Sequence, residues 1–486
     1  MTKPQNLIYF QTDNHHRRWL GCYGHPAVQT PVMDQIAARG VRFVNNYCVT
    51  AHCCPARAGI ATGWFPHETG YWDNCFAYDG KVPSWMHRLR EHGHEVVSVG
   101  KLHFRSGDDD NGFSEEILPM HIIGGVGALS GLLRAVDREP ERLEHGQMYL
   151  ESGEGMTEYQ EYDLKITEHA IAWLKNHASK SDKPWTVFIS YPTPHPAFQV
   201  PKRLLDMYPP EQMSLPVRYK PNDRPMHPAV VTAREKYGIQ EMTDDDLLRR
   251  IAAAYCALIT HTDEQIGKVL KVAEDLGLLE NTRVLYTSDH GEAIGNHGLF
   301  GKWTLYDHSA AVPLMMMGAD IPSGHVVNQL TSHVDLFPTI LESLGLPLAS
   351  EDDSLWGQSL WPAINGHEEE RIMFSEYHSG GSRHGSFMLR DGDWKLIYHA
   401  NADNQLFNLK TDPEEAHDLI EAGEGQEVEA ALEAKLRAIL DPEAVDKRAK
   451  ADQLARAEQH GGVEAIANQG YFTHTPIPGQ DADMHA

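Results

Sequence analysis

The sequence contains little cysteine for its length. Its 486 residues include six cysteines, none of them arranged as a C-x-x-C pair: Cys22, Cys48, Cys53, Cys54, Cys75 and Cys256. A disulfide-stabilised scaffold or a zinc ribbon would need more cysteines at regular spacing. Neither class of protein is therefore indicated.

Long apolar runs are also missing. No stretch approaches the ~18 consecutive apolar residues that a membrane-spanning helix requires. The first apolar run, residues 7–10, is too short for the core of a signal peptide. We therefore expect a soluble, cytoplasmic protein with no membrane partner.

Positive charge is in deficit. The chain has 42 Lys and Arg against 69 Asp and Glu, a formal net charge of −27. An acidic surface repels phosphate backbones and anionic lipid, which argues against nucleic acid as a partner. If the substrate is an anion, a local basic pocket must overcome this long-range field.

Strand-like segments alternate with helical segments through most of the chain. Five runs indicate strands: residues 6–11, 41–44, 95–99, 186–190 and 283–288. Helical patterns such as residues 162–178 lie between them. This alternation predicts an α/β fold, with a large mixed, mostly parallel sheet sandwiched by helices.

The character of the sequence changes near residue 371. Residues 1–370 form the predicted catalytic domain, and the short runs within 371–441 predict a small antiparallel sheet in a C-terminal subdomain. Residues 442–486 form a polar tail. We expect this tail at a subunit interface, which favours a homo-oligomer.

Two polar pairs follow two of the predicted strands. Asp13-Asn14 comes after the first strand, and Asp289-His290 comes directly after residues 283–288. In parallel sheets, ligands gather at the carboxyl ends of strands. Because the two pairs are far apart in the sequence, their equivalent placement predicts a common ligand or metal site.

The sharpest local signal is the segment CCPARAGIATG at residues 53–63. Cys53 directly precedes a predicted helix, and Arg57 follows four residues later. Both features lower the pKa of a thiol, which makes Cys53 a candidate nucleophile or metal ligand. A pair of buried thiols beside a structural arginine explains the same residues equally well.

The full C-x-P-x-R signature, with its helix ending in T-G, resembles the type I sulfatase family of the alkaline phosphatase-like superfamily. Other blocks resemble that family in the same order: TDN at 12–14, VGKLHF at 99–104, PHPAF at 194–198 and SDHGEAIGNHGLFGKW at 288–303. The resemblance implies that family's fold. It also implies that Cys53, not Cys54, is oxidised to formylglycine by a formylglycine-generating enzyme.

One divalent metal ion is part of the same resemblance. Its implied ligands are Asp13, Asn14, Asp289, His290 and the modified Cys53. Many relatives have Asp-Asp in the first block and Asp-Asn in the second, whereas this chain has Asp-Asn and Asp-His. One carboxylate fewer and one imidazole more shift the preference from Ca²⁺ toward Mn²⁺.

The resemblance also assigns the remaining site residues. Arg57 would orient the formylglycine, and Lys101 would contact both it and the sulfate. His103 would contact the second hydroxyl of the hydrated aldehyde. His195 and Lys302 would bind the sulfate ester, with one of them protonating the departing alcohol.

The implied reaction is hydrolysis of a small-molecule sulfate monoester to an alcohol and inorganic sulfate. The resemblance leaves the identity of the alcohol part of the substrate open. Residues 376–395 and the last residues of the chain resemble the choline-sulfatase-like subgroup. Four aromatic residues near the motifs are candidates for the pocket of the alcohol: Tyr71, Trp72, Phe104 and Trp303.

Two other functions compete with this interpretation. Phosphonate monoester and phosphate diester hydrolases of the same superfamily also use a formylglycine, and the GKLHF segment argues against them. A non-catalytic protein that binds metal or senses redox state through Cys53 and Cys54 is the alternative from a different class.

Overall fold

An eight-stranded sheet organises the computed structural model, which describes residues 6–136 and 143–482. Its strands are β1 (Asn6–Thr12), β2 (Gly40–Tyr47), β3 (Glu95–Lys101), β4 (Glu115–Met120), β5 (Trp185–Ser190), β6 (Thr282–Ser288), β7 (Leu314–Gly318) and β8 (His325–Ser332). The order across the sheet is β8-β2-β7-β6-β1-β5-β3-β4. Strand β7 runs antiparallel to both neighbours, and the other pairings are parallel. The predicted mixed, mostly parallel sheet is confirmed.

Helices cover both faces of this sheet. Those of seven or more residues in the described ranges are α1 (Pro31–Arg39), α2 (Cys53–Thr62), α3 (Trp85–Glu91), α4 (Glu158–Asn176), α5 (Pro228–Lys236), α6 (Asp245–Asp275), α7 (Leu336–Ser343), α8 (Gln426–Ile439), α9 (Pro442–Gln459) and α10 (Gly462–Asn468). None of the helices within residues 6–136 and 143–482 has the length and apolar character needed to span a membrane.

The central strand β1 shows why the sheet needs two helical layers. Leu7 and Tyr9 pack into a core shared with α2, α3 and α7. Ile8 and Phe10 point the other way, into a core shared with α1, α4 and α6. Successive side chains of a strand face opposite sides, so a continuous apolar run must be covered on both.

A second, four-stranded sheet follows in the C-terminal part. Strands β9 (Ile372–Tyr377), β10 (Ser386–Asp391), β11 (Trp394–His399) and β12 (Gln405–Asn408) form an antiparallel meander, as predicted. A buried ion cluster attaches it to the main body. Asp307 accepts hydrogen bonds from Arg17 at 3.1 Å and from Lys395 at 2.8 Å, and Lys395 also pairs with Glu415 at 2.7 Å.

The C-terminal tail returns to its own chain. After α10, the Tyr471 hydroxyl accepts a hydrogen bond from the backbone N–H of Glu144 at 2.8 Å. The Tyr159 hydroxyl donates to the carbonyl of Thr475 at 2.7 Å. The contact of this tail with a second subunit and the domain bounds stay predictions, and residues 483–486 lie outside the described part of the chain.

Candidate active site

The register between β1 and β6 brings the two polar pairs together. Thr12 lies opposite Ser288, so the next residue of each strand, Asp13 and Asp289, leaves the sheet at the same point. The backbone N–H of Asp289 donates to the carbonyl of Thr12 at 3.1 Å, which continues the pairing by one residue. The two carboxylates therefore reach one place from positions far apart in the sequence.

Four potential metal ligands meet there. One donor atom from each of Asp13, Cys53, Asp289 and His290 lies within 4.8 Å of the others, and all four side chains are buried. The Cys53 Sγ is 3.1 Å from His290 Nε2 and 3.8 Å from Asp13 Oδ1. Carboxylate oxygens and an imidazole nitrogen at this spacing are a donor set that suits a divalent cation.

His290 is held in the form that such a site needs. Its Nδ1 lies 3.0 Å from the carbonyl oxygen of Gly291, so Nδ1 carries the proton and the Nε2 lone pair faces the cluster. Burial lowers the pKa of His290, and the neighbouring Lys302 lowers it further. The ring is therefore neutral and able to coordinate a cation.

The Arg57 side chain contacts the carboxylates of both Asp13 and Asp289. It donates from Nε to Asp289 Oδ2 at 2.8 Å and from Nη2 to Asp13 Oδ2 at 3.2 Å. Lys101 Nζ adds an ion pair with Asp13 Oδ2 at 2.6 Å. The guanidinium and ammonium groups offset the cost of burying two carboxylates side by side.

The two carboxylates respond differently to burial. Burial raises the pKa of Asp289 to about 6, and the charge of Asp13 adds to this rise. Burial also opposes ionisation of Asp13, but the Lys101 and Arg57 charges outweigh it and hold the pKa of Asp13 well below its usual range. Asp13 is therefore the firmly anionic member of the pair.

The two adjacent cysteines at the start of helix α2 face different surroundings. Cys53 is its first residue and lies at the floor of an open pocket. The Cys54 side chain packs instead in a small apolar cluster with Ala77 and Ile122, and burial raises the pKa of its thiol well above the usual value. Of the two thiols, Cys53 is the one that faces the polar site.

Lys302 lies next to Cys53 and also contacts Asn14. Lys302 Nζ lies 3.4 Å from Cys53 Sγ and donates to Asn14 Oδ1 at 3.0 Å. Burial alone would lower the pKa of Lys302, but its electrostatic interactions with the surrounding residues, among them Cys53, Asp13 and Asp289, raise it. Lys302 is therefore a cation beside the sulfur of Cys53.

Two further histidines predicted from the sequence line the same pocket. His103 is buried, and in the described part of the chain neither of its ring nitrogens has a hydrogen-bond partner. His195 Nδ1 contacts the carbonyl of Pro196 at 2.6 Å. Burial and the neighbouring lysines lower the pKa of both rings well below the usual value, so both are neutral.

The pocket above these residues is wide, with an empty volume of about 920 Å³ that opens to solvent. One wall is aromatic: Trp303 stacks on Tyr237 with ring centroids 3.7 Å apart. Residues 472–475 of the tail form another wall. The pocket therefore extends beyond the residues around Cys53 to these two walls.

Of the four aromatic residues proposed for the pocket, only Trp303 lines it. Trp72 and Phe104 belong to the cores, with Trp72 bonded through its indole N–H to Asp452 at 2.8 Å. Tyr71 packs in the same core as Phe104. Proximity to a motif in the sequence was the wrong criterion, because neighbouring residues of a chain often face different layers.

Several residues in or beside the pocket were not identified from the sequence. Glu292, three positions after Asp289, accepts a hydrogen bond from Asn14 Nδ2 at 2.7 Å. Its signal was a charged residue inside the small and apolar run after the metal pair. His52, Tyr237 and the tail residues near Thr473 have no comparable local signal, because tertiary packing alone brings them to the pocket.

Comparisons with known proteins find relatives that cover most of this chain. The sulfatase family model matches residues 5–346, and a model of the C-terminal part of N-sulphoglucosamine sulphohydrolase matches residues 295–441. The choline-sulfatase of Rhizobium meliloti (strain 1021) is 30% identical over 471 residues, covering 93% of this chain and 89% of that protein. The arylsulfatase K of Canis lupus familiaris is 29% identical over 462 residues, covering 90% of this chain and 82% of that protein.

Solved structures share the fold. The phosphonate monoester hydrolase of Agrobacterium radiobacter superposes with a TM-score of 0.72 at 22% identity, over 93% of this chain and 96% of that one. A protein described in complex with its substrate D-glucosamine-2-N,6-O-disulfate superposes with a TM-score of 0.70 at 22% identity, over 93% and 99% of the two chains.

Proposed function

This chain belongs to the sulfatase family and is thus a sulfuric ester hydrolase, and we propose that it acts through a formylglycine made from Cys53 and one divalent metal ion. Its substrate would be a sulfate monoester, and its products an alcohol and inorganic sulfate. The position of Cys53 carries the proposal, because its Sγ lies within 3.1 Å of His290 Nε2 and 3.4 Å of Lys302 Nζ at the floor of an open pocket.

Four side chains would hold the metal ion together with residue 53: Asp13, Asn14, Asp289 and His290. The buried, mutually close donor atoms of Asp13, Cys53, Asp289 and His290 support the assignment of those four residues. When bound, the metal would act as a Lewis acid on the sulfate oxygens, and formylglycine in its hydrated form would supply an oxygen nucleophile with a second hydroxyl. The imidazole in the set favours Mn²⁺ over Ca²⁺.

The surrounding cations would stabilise the negative charge that spreads over the sulfate and the departing oxygen. Arg57 and Lys101 are fixed by Asp13, so they need no rearrangement. Lys302 is the proton donor that fits the leaving alcohol, since its Nζ is cationic. His195 is neutral, and its Nδ1 donates to the Pro196 carbonyl. Its Nε2 lone pair would therefore accept a hydrogen bond from a hydroxyl group, such as that of the alcohol product, and not bond to the sulfate oxygens, which only accept.

His103 would accept a proton at residue 53 in the step that releases sulfate. A general base must be neutral and have a free lone pair within reach. His103 meets the first condition, because burial and the charges of Lys101 and Arg57 lower its pKa. For the second condition, both of its nitrogens lack partners in the described residues, and it lines the same pocket as residue 53.

A comparison of two leaving-group-matched substrates tests the reaction class. We expect kcat/KM for an aryl sulfate to exceed that for the corresponding aryl phosphonate monoester by at least about a hundredfold, a level of discrimination that one site can reach. Steady-state assays of the matured, metal-reconstituted enzyme measure both. The reverse ratio would assign the chain to the phosphonate hydrolases with which it shares its fold.

The same assay distinguishes three classes of sulfate ester, in which the alcohol is a quaternary ammonium alcohol, an aryl alcohol or a sugar. Lys302 Nζ lies 5.4 Å from the Trp303 ring centroid, so a cation already contacts the aromatic wall of the pocket. A second cation there would be repelled. We therefore propose an uncharged ring-bearing alcohol, and faster hydrolysis of choline sulfate than of aryl or sugar sulfates would contradict this.

The tail should contribute to substrate binding from within its own subunit. For a chain that ends at Gln469, we expect KM to rise at least about tenfold with a smaller change in kcat, because residues 472–475 form a wall of the pocket. A chain that ends at Gln480 is the control. Steady-state kinetics measure the effect, and an unchanged KM in the shorter chain would exclude this role.

A further inference from the structure

Glu292 is a buried carboxylate that touches the site without lining the pocket. Its Oε2 accepts a hydrogen bond from Asn14 Nδ2 at 2.7 Å and lies 3.4 Å from the Tyr149 hydroxyl. Its Oε1 accepts the backbone N–H of Gly301. Both oxygens of Glu292 are thus bound by N–H groups, one from the first polar pair and one from the loop that carries Lys302.

The hydrogen bond from Asn14 sets the direction of its amide. The two ends of an amide differ in chemistry, since the nitrogen only donates and the oxygen only accepts. With Nδ2 directed at a carboxylate, Oδ1 must face the opposite way, where it lies 3.0 Å from Lys302 Nζ. Oδ1 is the end of Asn14 that can coordinate a hard cation.

The negative charge of Glu292 also matches the number of cationic side chains around Cys53. Three cationic side chains lie around Cys53, namely Arg57, Lys101 and Lys302. Asp13 and Asp289 supply two buried carboxylates, and Glu292 supplies the third. Buried charges are tolerated when they are paired or hydrogen-bonded: Asp13 and Asp289 form ion pairs with Arg57, and Glu292 accepts hydrogen bonds from Asn14 and Gly301.

We propose that Glu292 is a positioning residue that orients the Asn14 amide oxygen toward the cation site and fixes the loop of Lys302 through Gly301. This inference rests on the proposed metal site. Gly301 suits that loop because its φ of +76° lies in the left-handed region, where glycine is unstrained. A carboxylate is required at position 292, because both of its oxygens must accept.

Replacing Glu292 by glutamine tests the orientation. Its amide nitrogen must face either the Gly301 N–H or Asn14, so one donor opposes another unless the Asn14 amide turns over. Turning would direct Nδ2 at Lys302 and at the cation. We expect the Glu292→Gln variant to bind Mn²⁺ about 10- to 100-fold more weakly, the usual effect of losing a partner of a metal ligand.

The reciprocal double variant separates orientation from general damage. In Asn14→Asp/Glu292→Gln, the new amide can donate to the new carboxylate and still accept from Gly301, and the total charge is unchanged. We expect Mn²⁺ affinity to return to within about threefold of the wild type. Glu376→Gln, a buried carboxylate in the C-terminal sheet, is the control and should leave Mn²⁺ affinity unchanged.

Calorimetric titration of the metal-free proteins with Mn²⁺ measures these affinities without any turnover, and thermal unfolding checks that each variant is folded. Wild-type affinity in Glu292→Gln, or no recovery in the double variant, would overturn the positioning role alone. A wild-type protein that binds neither Mn²⁺ nor Ca²⁺ would overturn the proposed metal site and this inference with it.

Discussion

We expect the Cys53→Ser variant to hydrolyse a sulfate ester at least about a thousandfold more slowly than the matured enzyme, with its fold intact. Serine occupies nearly the same volume as cysteine, so the buried contacts with Asp13 and His290 need not shift. A serine hydroxyl can attack sulfur, but it lacks the second hydroxyl from which His103 would remove a proton. Release of sulfate would then wait for water.

The neighbouring thiol provides a matched control. Cys54 is equally buried but packs with Ala77 and Ile122, away from the pocket. Cys54→Ser should therefore retain turnover once residue 53 is matured. Unchanged activity in Cys53→Ser would refute the assigned nucleophile.

Peptide mass spectrometry distinguishes the enzyme from a thiol-based sensor. Maturation exchanges one sulfur and two hydrogens of Cys53 for one oxygen and leaves Cys54 unchanged. A sensor would keep both thiols and show no turnover in any host that matures related sulfatases. The aldehyde at residue 53, found together with turnover, is the expected result.

The sequence was sufficient to predict the central strands but not those with unusual composition. The runs at 6–11 and 283–288 lie within β1 and β6 to one residue at each end, because strands buried on both faces are nearly continuous in apolar residues. Three strands of the eight-stranded sheet were not predicted. Strand β7 is the methionine-rich LMMMG. Strands β4 and β8 lie at the two edges of the sheet; β4 contains Pro119, and β8 mixes polar with apolar residues.

The residues of the site also fall into two groups, those that the sequence predicts and those that it does not. Residues within short motifs, such as Cys53 and Asp289, were identified from the sequence, because motif spacing reports the chemistry of one loop. The register of Thr12 against Ser288 could not be predicted, although it is what brings the two loops together. Contacts such as that between Glu292 and Asn14 join residues 278 positions apart, and no local pattern encodes them.

The Asp13→Asn variant should show the largest loss of metal affinity. Asp13 is a metal-ligand candidate and also the counter-ion of two buried cations, with Lys101 at 2.6 Å and Arg57 at 3.2 Å. We expect Mn²⁺ affinity to fall at least about a hundredfold, more than for the indirect Glu292→Gln change. Because Arg57 keeps its ion pair with Asp289, Lys101 is the buried cation that loses its counter-ion, and this should also lower the free energy of unfolding of the metal-free protein by about 3–5 kcal/mol.

Asp263 supplies the comparison that isolates the metal effect. It is also buried, on α6, where it accepts hydrogen bonds from the backbone N–H groups of Val32 and Met33 at 3.1 and 2.8 Å. Burial raises the pKa of Asp263 to about 7, so near neutral pH the Asp263→Asn change removes only part of one charge. Titration with Mn²⁺ and urea unfolding of both metal-free variants measure the two effects. If Asp13→Asn bound Mn²⁺ as tightly as Asp263→Asn, the cation would have to lie elsewhere, and the nucleophile at residue 53 would lose its activating partner.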